Sequence, residues 1–113
     1  MNGQRQDVYR DGMNTYQQLM PQIADRYNDF TGVCFEDSAL RKKEKELIAL
    51  GISLSHRDEN CVRYHVGEAL QKGATEAEVW DAVNVAIAMS GGMILSQSVY
   101  WVHDAVSAGA QRQ

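Results

Sequence analysis

The chain has 113 residues, of which 44% are hydrophobic and 23% charged, a composition typical of one globular domain. Eleven Lys and Arg against fifteen Asp and Glu give a net charge of −4, so the chain lacks the basic surface of a nucleic-acid-binding protein. No apolar segment approaches the ~20 residues of a membrane span, no apolar signal core directs export, and two cysteines are too few for a disulfide scaffold. We therefore expect a single cytoplasmic domain over residues 1–113, with no membrane partner and with reduced thiols.

The first third of the chain carries apolar residues at helical spacing. Every third or fourth residue from Tyr9 to Met20 is apolar, which predicts a first amphipathic helix. Pro21 fits the first turn of a second helix, because the N–H that proline lacks has no partner there. The apolar stripe of this second helix consists of Ile23, Tyr27, Phe30 and Cys34. We expect Cys34 to belong to the core, and the aromatic residues of the stripe to lie in the core or in a subunit contact.

Two further helices are predicted in the middle of the chain. Asp37 or Ser38 is a suitable N-cap for a third helix that runs to about Ser55. Its second half, residues 47–54, is apolar nearly all round and is therefore expected to be buried. The polar residues 56–60 open a fourth helix, which ends at Gly73, a residue typical of the position after a helix.

The last third of the chain predicts two more helices. Residues Thr75 to Glu78 form a capping box that starts a fifth helix, which continues through Met89. Gly91 and Gly92 separate it from a last helix over about residues 93–107. Connections are short and no period-two alternation is sustained, so the sequence predicts an all-α fold, a compact bundle of about six helices.

The fourth helix carries three reactive side chain types along one edge of its apolar stripe. Asp58, Cys61 and His65 lie at i, i+3 and i+7, and the last two have the spacing at which side chains on a helix meet. The thiolate is the reactive form of cysteine, and a nearby base favours it, so Cys61 and His65 are candidates for nucleophilic catalysis. The positive end of the helix dipole favours the thiolate as well.

Simpler interpretations of the same residues remain open. Free cysteines are commonly buried without a chemical role, and Asp58 is typical of a helix N-cap. Three ligands fall short of the four that a structural zinc site needs, so we expect no metal, and no motif predicts another cofactor. On the third helix, Glu46 borders the apolar face, but periodicity does not distinguish it from Glu44.

Several separated motifs nevertheless keep a common order and spacing. They are K-E-L-I-A-L at 45–50, C-x-x-x-H at 61–65, H-x-x-x-A-L-x-x-G-A-T-x-x-E at 65–78, and the pair Gly91-Gly92. Over about residues 40–106 the chain resembles the carboxymuconolactone decarboxylase family, which includes the alkylhydroperoxidase D proteins. The resemblance implies an all-α, alkylhydroperoxidase D-like fold that assembles into trimers or hexamers, with the site near a subunit boundary.

The resemblance also assigns roles to residues. The peroxidase branch of the family has C-x-x-C-x-x-x-H and a Glu on the preceding helix, and its Glu and His form a proton relay that ionises the second Cys. These residues correspond to Cys61 as the nucleophile, His65 as the relay and Glu46 as its acidic partner. Asp58 stands where the first Cys of that pattern would be, so this chain has no partner thiol within the motif. The carboxylate of Asp58 is also expected to raise the pKa of Cys61, against the helix dipole.

Three functions are consistent with these residues. The first is an antioxidant thiol peroxidase of the peroxiredoxin type, in which Cys61 attacks a hydroperoxide and an external thiol or protein reductant restores it. The second is decarboxylase-like acid–base chemistry on a small lactone or carboxylate, with His65 as the acid and Arg63 or Arg57 as the carboxylate partner. Asp58 and Arg63 are then candidate substrate-binding residues. The third is a non-catalytic, oligomeric member of the family.

Subunit contacts are expected from the length of the chain. Aromatic and Met stripes on the first two helices present more apolar surface than a small monomer usually covers. We therefore expect a homo-oligomer, a trimer or a hexamer according to the resemblance.

Overall fold

The structure, a computed structural model, describes the backbone of residues 2–112 and the side chains of residues 9–109. Within these residues it contains six α-helices, a single π-helical turn and no strand. The elements are α1 (Asn2–Leu19), α2 (Pro21–Cys34), α3 (Lys42–Ser55), α4 (Glu59–Gln71), α5 (Glu76–Ser90), the π turn (Ile94–Ser98) and α6 (Val99–Arg112). The predicted all-α fold with about six helices is confirmed.

The chain divides into two compact units, one up to Ser38 and one from Ala39 onward. The first unit contains α1 and α2, and Pro21 begins α2 as predicted. The expected place of Cys34 in the core was wrong: Cys34 is exposed, and Phe30 of the same stripe is 67% exposed. Helical spacing identifies which residues share a face, but it does not reveal whether another element covers that face. The expectation of one domain over residues 1–113 stays a prediction.

The second unit contains the main hydrophobic core. Fourteen buried residues from α3 to α6 form one cluster: Leu50, Leu54, Val62, Val66, Ala69, Ala74, Val79, Val83, Ala86, Ile94, Trp101, Val102, Ala105 and Val106. Burial of this apolar surface is the main source of stability for the unit. The core therefore fixes α3 and α4 against each other, and these two helices carry the candidate site.

The start of α3 differs from the sequence prediction. The helix begins at Lys42, with Arg41 as its N-cap, so the predicted caps Asp37 and Ser38 were wrong. The backbone N–H of Arg41 donates to Glu44 Oε1 (2.9 Å), which satisfies a group that would otherwise lack a helical partner. An acidic residue three positions into the helix therefore decides where α3 begins.

The second half of α3 is buried on one face only. Leu50 and Leu54 are fully buried, whereas Ile48 and Ile52 are more than half exposed. The prediction of burial all round was therefore wrong. A helix packed against two neighbours, here α4 and α5, still leaves part of its circumference uncovered.

Two hydrogen-bonded contacts show that α3 and α5 run in parallel. Lys43 Nζ lies 3.0 Å from Glu78 Oε2 near the N-terminal ends of the helices, and the Ser55 and Ser90 hydroxyls are 2.7 Å apart near the C-terminal ends. Thr75 and Glu78 form the predicted capping box at the start of α5. The last helical segment includes a π turn that the sequence did not predict.

Candidate active site on α3 and α4

The turn between α3 and α4 places Asp58 at the start of α4. Arg57 adopts a left-handed conformation (φ 54°), its N–H donates to Leu54 O, and the N–H of Asp58 donates to Ser53 O. This is the Schellman pattern that commonly closes a helix, with Arg57 in the position usually held by glycine. The chain reverses within these residues, and Asp58 is free to cap the next helix.

Asp58 is the N-cap of α4, as the sequence predicted. Its Oδ1 accepts a hydrogen bond from the backbone N–H of Cys61 at 3.2 Å. This bond satisfies one of the N–H groups that the first turn of a helix leaves without a partner. The cap also brings the carboxylate to the same turn of helix as the Cys61 side chain.

Cys61 is partly buried, and its surroundings disfavour the thiolate. Burial and the nearby carboxylate of Asp58 together raise the pKa of Cys61 from the ordinary value of 9.0 to about 11, with burial as the largest single cause. The sequence left open whether Asp58 or the helix dipole dominates. In the structure, burial and Asp58 both raise the pKa of Cys61, so a reaction of this thiol at neutral pH calls for a base.

His65 and Glu46 form a close pair between α4 and α3. His65 Nδ1 lies 2.6 Å from Glu46 Oε1, and the side chain of Glu46 is only 8% exposed. A carboxylate in its ionised form can only accept, so with Glu46 in that form Nδ1 is the donor and Nε2 is the nitrogen left to act as a base. This contact distinguishes Glu46 from Glu44, whose side chain instead accepts a hydrogen bond from the backbone N–H of Arg41 at the start of α3.

The structure thus brings together two of the three predicted catalytic residues directly. Glu46 and His65 share a hydrogen bond, whereas Asp58 accepts a hydrogen bond from the backbone N–H of Cys61. Cys61 and His65 lie one helical turn apart on α4, at the spacing where side chains meet. Periodicity alone did not single out Glu46, and only the family resemblance pointed to it.

The side chain of Arg63 is already bound by two carboxylates of this chain. Its Nε donates to Glu59 Oε2 (2.9 Å) and its Nη2 to Asp104 Oδ2 (3.4 Å), so it links α4 to α6. Its Nη1 is buried, without a hydrogen-bond partner in the described part of the chain. A substrate carboxylate at Arg63 would therefore have to compete with two carboxylates already present, and that role stays a prediction.

The described residues offer no site for a metal ion. No group of three or more His, Cys, Asp and Glu side chains within them is arranged to hold one. Nor is any helix in this part of the chain both long and apolar enough to cross a membrane. What the site contains is a hydrogen-bonded pair of acid–base side chains, His65 and Glu46, one helical turn from the thiol of Cys61.

Comparison with known proteins identifies the family to which the chain is similar. The carboxymuconolactone decarboxylase family matches residues 21–104 of the chain. An uncharacterised protein of the cox locus of Paracoccus denitrificans is 34% identical over 70 residues, which are 62% of this chain and 63% of that protein. An uncharacterised protein of Cupriavidus necator is 27% identical over 75 residues, which are 66% of each chain. The chain thus spans less than two thirds of the length of either relative.

Solved structures show the same fold. A carboxymuconolactone decarboxylase family protein from Legionella pneumophila superposes with a TM-score of 0.82 at 22% identity, over 97% of this chain and 95% of that one. A family protein from Thermotoga maritima with a possible role in antioxidative response gives a TM-score of 0.77 at 22% identity, over 94% and 93% of the two chains. At this identity the likeness is one of fold.

Proposed function

Since the chain belongs to the carboxymuconolactone decarboxylase family, we propose that it is a thiol-dependent peroxidase in which Cys61 reduces hydroperoxides with the help of His65 and Glu46. The observation that carries the proposal is the 2.6 Å pair between His65 Nδ1 and Glu46 Oε1, one helical turn from Cys61. A carboxylate that fixes the tautomer of an imidazole and stabilises its protonated form is the standard way to make a histidine an effective base. The possible antioxidative role of the Thermotoga maritima protein agrees with this chemistry.

The first step is attack of Cys61 on the peroxide. Cys61 Sγ bonds to the terminal oxygen of R–O–O–H while the O–O bond breaks, and sulfur is oxidised as the peroxide is reduced. His65 Nε2 accepts the thiol proton during the attack, and that proton passes to the departing alkoxide. The products are the sulfenic acid Cys61–SOH and the alcohol R–OH, or water when the substrate is hydrogen peroxide.

His65 is needed in this mechanism as the base that removes the proton of the Cys61 thiol. The pKa of Cys61 is raised to about 11, so only a small fraction is thiolate at neutral pH. Proton transfer to His65 in the transition state removes the need for a preformed thiolate. Glu46 stabilises the imidazolium that forms, because a charge-assisted hydrogen bond is stronger than a neutral one.

An external thiol completes the cycle. A thiol R′–SH condenses with Cys61–SOH, which releases water and leaves a mixed disulfide, and a second R′–SH then frees Cys61 and departs as R′–S–S–R′. Asp58 stands where the two-cysteine branch has its first Cys, the thiol that would resolve the sulfenic acid, so a small thiol or a protein reductant takes that role. The proposal locates the reaction in the cytoplasm, where such thiols are kept reduced.

The experiment is single-turnover oxidation with hydrogen peroxide or an alkyl hydroperoxide, followed by mass spectrometry. In a Cys34→Ser background we expect one sulfenic acid, trapped by dimedone, at Cys61. Cys61→Ser should abolish it, and His65→Gln should slow it by about 10²–10⁴-fold, the usual contribution of a general base. His103→Gln is the matched control, because His103 is an exposed histidine on α6, and it should react like the parent.

Two outcomes of the same experiment would contradict the proposal. Rates that are equal in the parent and in His65→Gln would remove the relay from the mechanism. A Cys61 that stays unmodified at millimolar peroxide would remove the peroxidase function.

Acid–base chemistry on a small lactone or carboxylate is the second candidate, because the pair of His65 and Glu46 needs no thiol. Turnover of such a substrate that survives Cys61→Ser but is lost in His65→Gln would establish it instead. A protein inert in both assays would be the non-catalytic family member.

A further inference from the structure

The ring of Tyr64 packs against the imidazole of His65. The two ring centroids lie 5.1 Å apart and the ring planes are inclined by 76°, which is an edge-to-face arrangement. Aromatic pairs favour this geometry at centroid distances of about 4.5–7 Å. Neighbouring side chains on a helix point about 100° apart, so helical geometry alone does not bring these two rings together. The contact therefore depends on the side-chain conformation that Tyr64 adopts.

Tyr64 and Glu46 contact the same imidazole from different environments. The side chain of Glu46 is 8% exposed and comes from α3, whereas Tyr64 is 50% exposed and belongs to α4 itself. The exposure of the His65 side chain, 16%, lies between these two values. Glu46 thus holds the imidazole from the interior of the protein, and the ring of Tyr64 covers it from a position near the surface.

The hydrogen bond to Glu46 leaves the imidazole a motion that a second contact can restrict. This bond, between His65 Nδ1 and Glu46 Oε1 at 2.6 Å, fixes one atom of the ring. The torsion that turns an imidazole about its bond to Cβ is broad, so the ring can still pivot about that atom and carry Nε2 with it. A ring packed edge to face against the imidazole opposes this motion, because a change in the inclination of the rings loses the favourable contact.

We propose that Tyr64 is a positioning residue, whose ring holds the imidazole of His65 in one orientation and so directs Nε2 toward the thiol of Cys61. The inference rests on the peroxidase function proposed above, and it adds the residue that orients the base. Side chains of a helix lean toward its N-terminus, and Tyr64 and His65 follow Cys61 by three and four residues. Both rings therefore lean toward the helical turn that carries the sulfur.

Two substitutions separate the ring of Tyr64 from its hydroxyl. Tyr64→Phe keeps a ring of the same shape, whereas Tyr64→Leu keeps an apolar side chain and removes the aromatic contact. Tyr100→Leu is the matched control, because Tyr100 is an exposed tyrosine of α6. All variants are made in the full chain with Cys34→Ser, so that Cys61 is the only thiol.

The first measurement needs no peroxide. The exchange of the His65 Nδ1 proton with water is followed by NMR on chain labelled with nitrogen-15 histidine, and His65→Gln identifies the signal among the three histidines. Exchange requires the imidazole to leave Glu46, so its rate reports how firmly the ring is held. We expect Tyr64→Leu to quicken exchange by about two- to tenfold, the range that corresponds to one aromatic pair. Tyr64→Phe and Tyr100→Leu should exchange like the parent.

The second measurement is the rate of sulfenic acid formation at Cys61 with hydrogen peroxide. A base that spends less time in the productive orientation takes the thiol proton less often, so Tyr64→Leu should react about two- to tenfold more slowly. Tyr64→Phe should restore the rate of the parent. The melting temperatures of all variants should be similar, because Tyr64 is half exposed and outside the hydrophobic core.

The two measurements together decide between outcomes. Quicker exchange and slower oxidation in Tyr64→Leu, with neither in Tyr64→Phe or Tyr100→Leu, support the proposal. Unchanged exchange in Tyr64→Leu, equal changes in Tyr64→Phe or Tyr100→Leu, or quicker exchange without slower oxidation overturn it, even if peroxide oxidises Cys61 of the parent through His65. Quicker exchange in Tyr64→Leu of a protein that peroxide never oxidises supports the hold of Tyr64 on the imidazole and removes the peroxidase function instead.

Discussion

The link between Glu46 and His65 can be measured as a coupling free energy. The two side chains lie 19 residues apart in sequence and join α3 to α4 through one hydrogen bond of 2.6 Å. A double-mutant cycle with Glu46→Gln, His65→Gln and the double variant isolates the pairwise energy, because effects of each single change on its other neighbours cancel. Both replacements are of similar size to the original side chains, so neither opens a large cavity.

The expected magnitude follows from burial. The side chains of Glu46 and His65 are 8% and 16% exposed, so water competes little for their hydrogen bond. A hydrogen bond to a charged group in such an environment contributes about 1.5–3 kcal/mol. We expect a coupling free energy of about 2 kcal/mol, which is roughly a 30-fold change in the unfolding equilibrium constant.

The chain offers a matched comparison on the same helix. Lys43 and Glu78 also link α3 to a neighbouring helix, at 3.0 Å, but their side chains are 33% and 40% exposed. A cycle with Lys43→Met and Glu78→Gln should give a clearly smaller coupling, because water screens the pair and competes for it. Gln is also acceptable in a capping box, so Glu78→Gln preserves the start of α5.

The assay is urea unfolding followed by circular dichroism at one fixed protomer concentration, since any association of subunits would add to the apparent stability. The dependence of the unfolding free energy on urea should be the same for all variants. The reasoning is refuted if the coupling between Glu46 and His65 is no larger than that between Lys43 and Glu78. Burial would then not be what strengthens the proposed relay.

Two further predictions concern backbone conformation and assembly. Arg57 and Gly73 each follow a helix with a positive φ (54° and 103°), a conformation that favours glycine. Arg57→Gly should therefore raise the free energy of unfolding in urea by about 1 kcal/mol, and Gly73→Ala should lower it by a similar amount. Changes of the same sign in the two variants would contradict this expectation. Helix α2 exposes large apolar side chains, among them Tyr27 and Phe30, so we expect subunits to associate. Light scattering at micromolar protomer concentration should give the mass of a trimer or a hexamer, and a mass equal to one chain would contradict this expectation.

Local interactions are what the sequence determined on its own. Pro21 begins α2, Asp58 caps α4, Gly73 closes it, and Thr75 with Glu78 opens α5. Each of these features depends on groups within about four residues of one another, so the order of residues is enough to predict it. The same local patterns, repeated along the chain, predicted the all-α fold and six helices.

Tertiary structure decided which of these residues meet and which are covered. Helical spacing placed Cys34 in the core, yet it is exposed, because burial depends on a second surface that spacing cannot identify. Periodicity treated Glu44 and Glu46 alike, and only the packing of α3 on α4 gave Glu46 its contact with His65. The pKa of Cys61 was open in sequence because the Asp58 carboxylate and the helix dipole act in opposite directions, and burial, the largest cause of its rise to about 11, exists only once the helices pack.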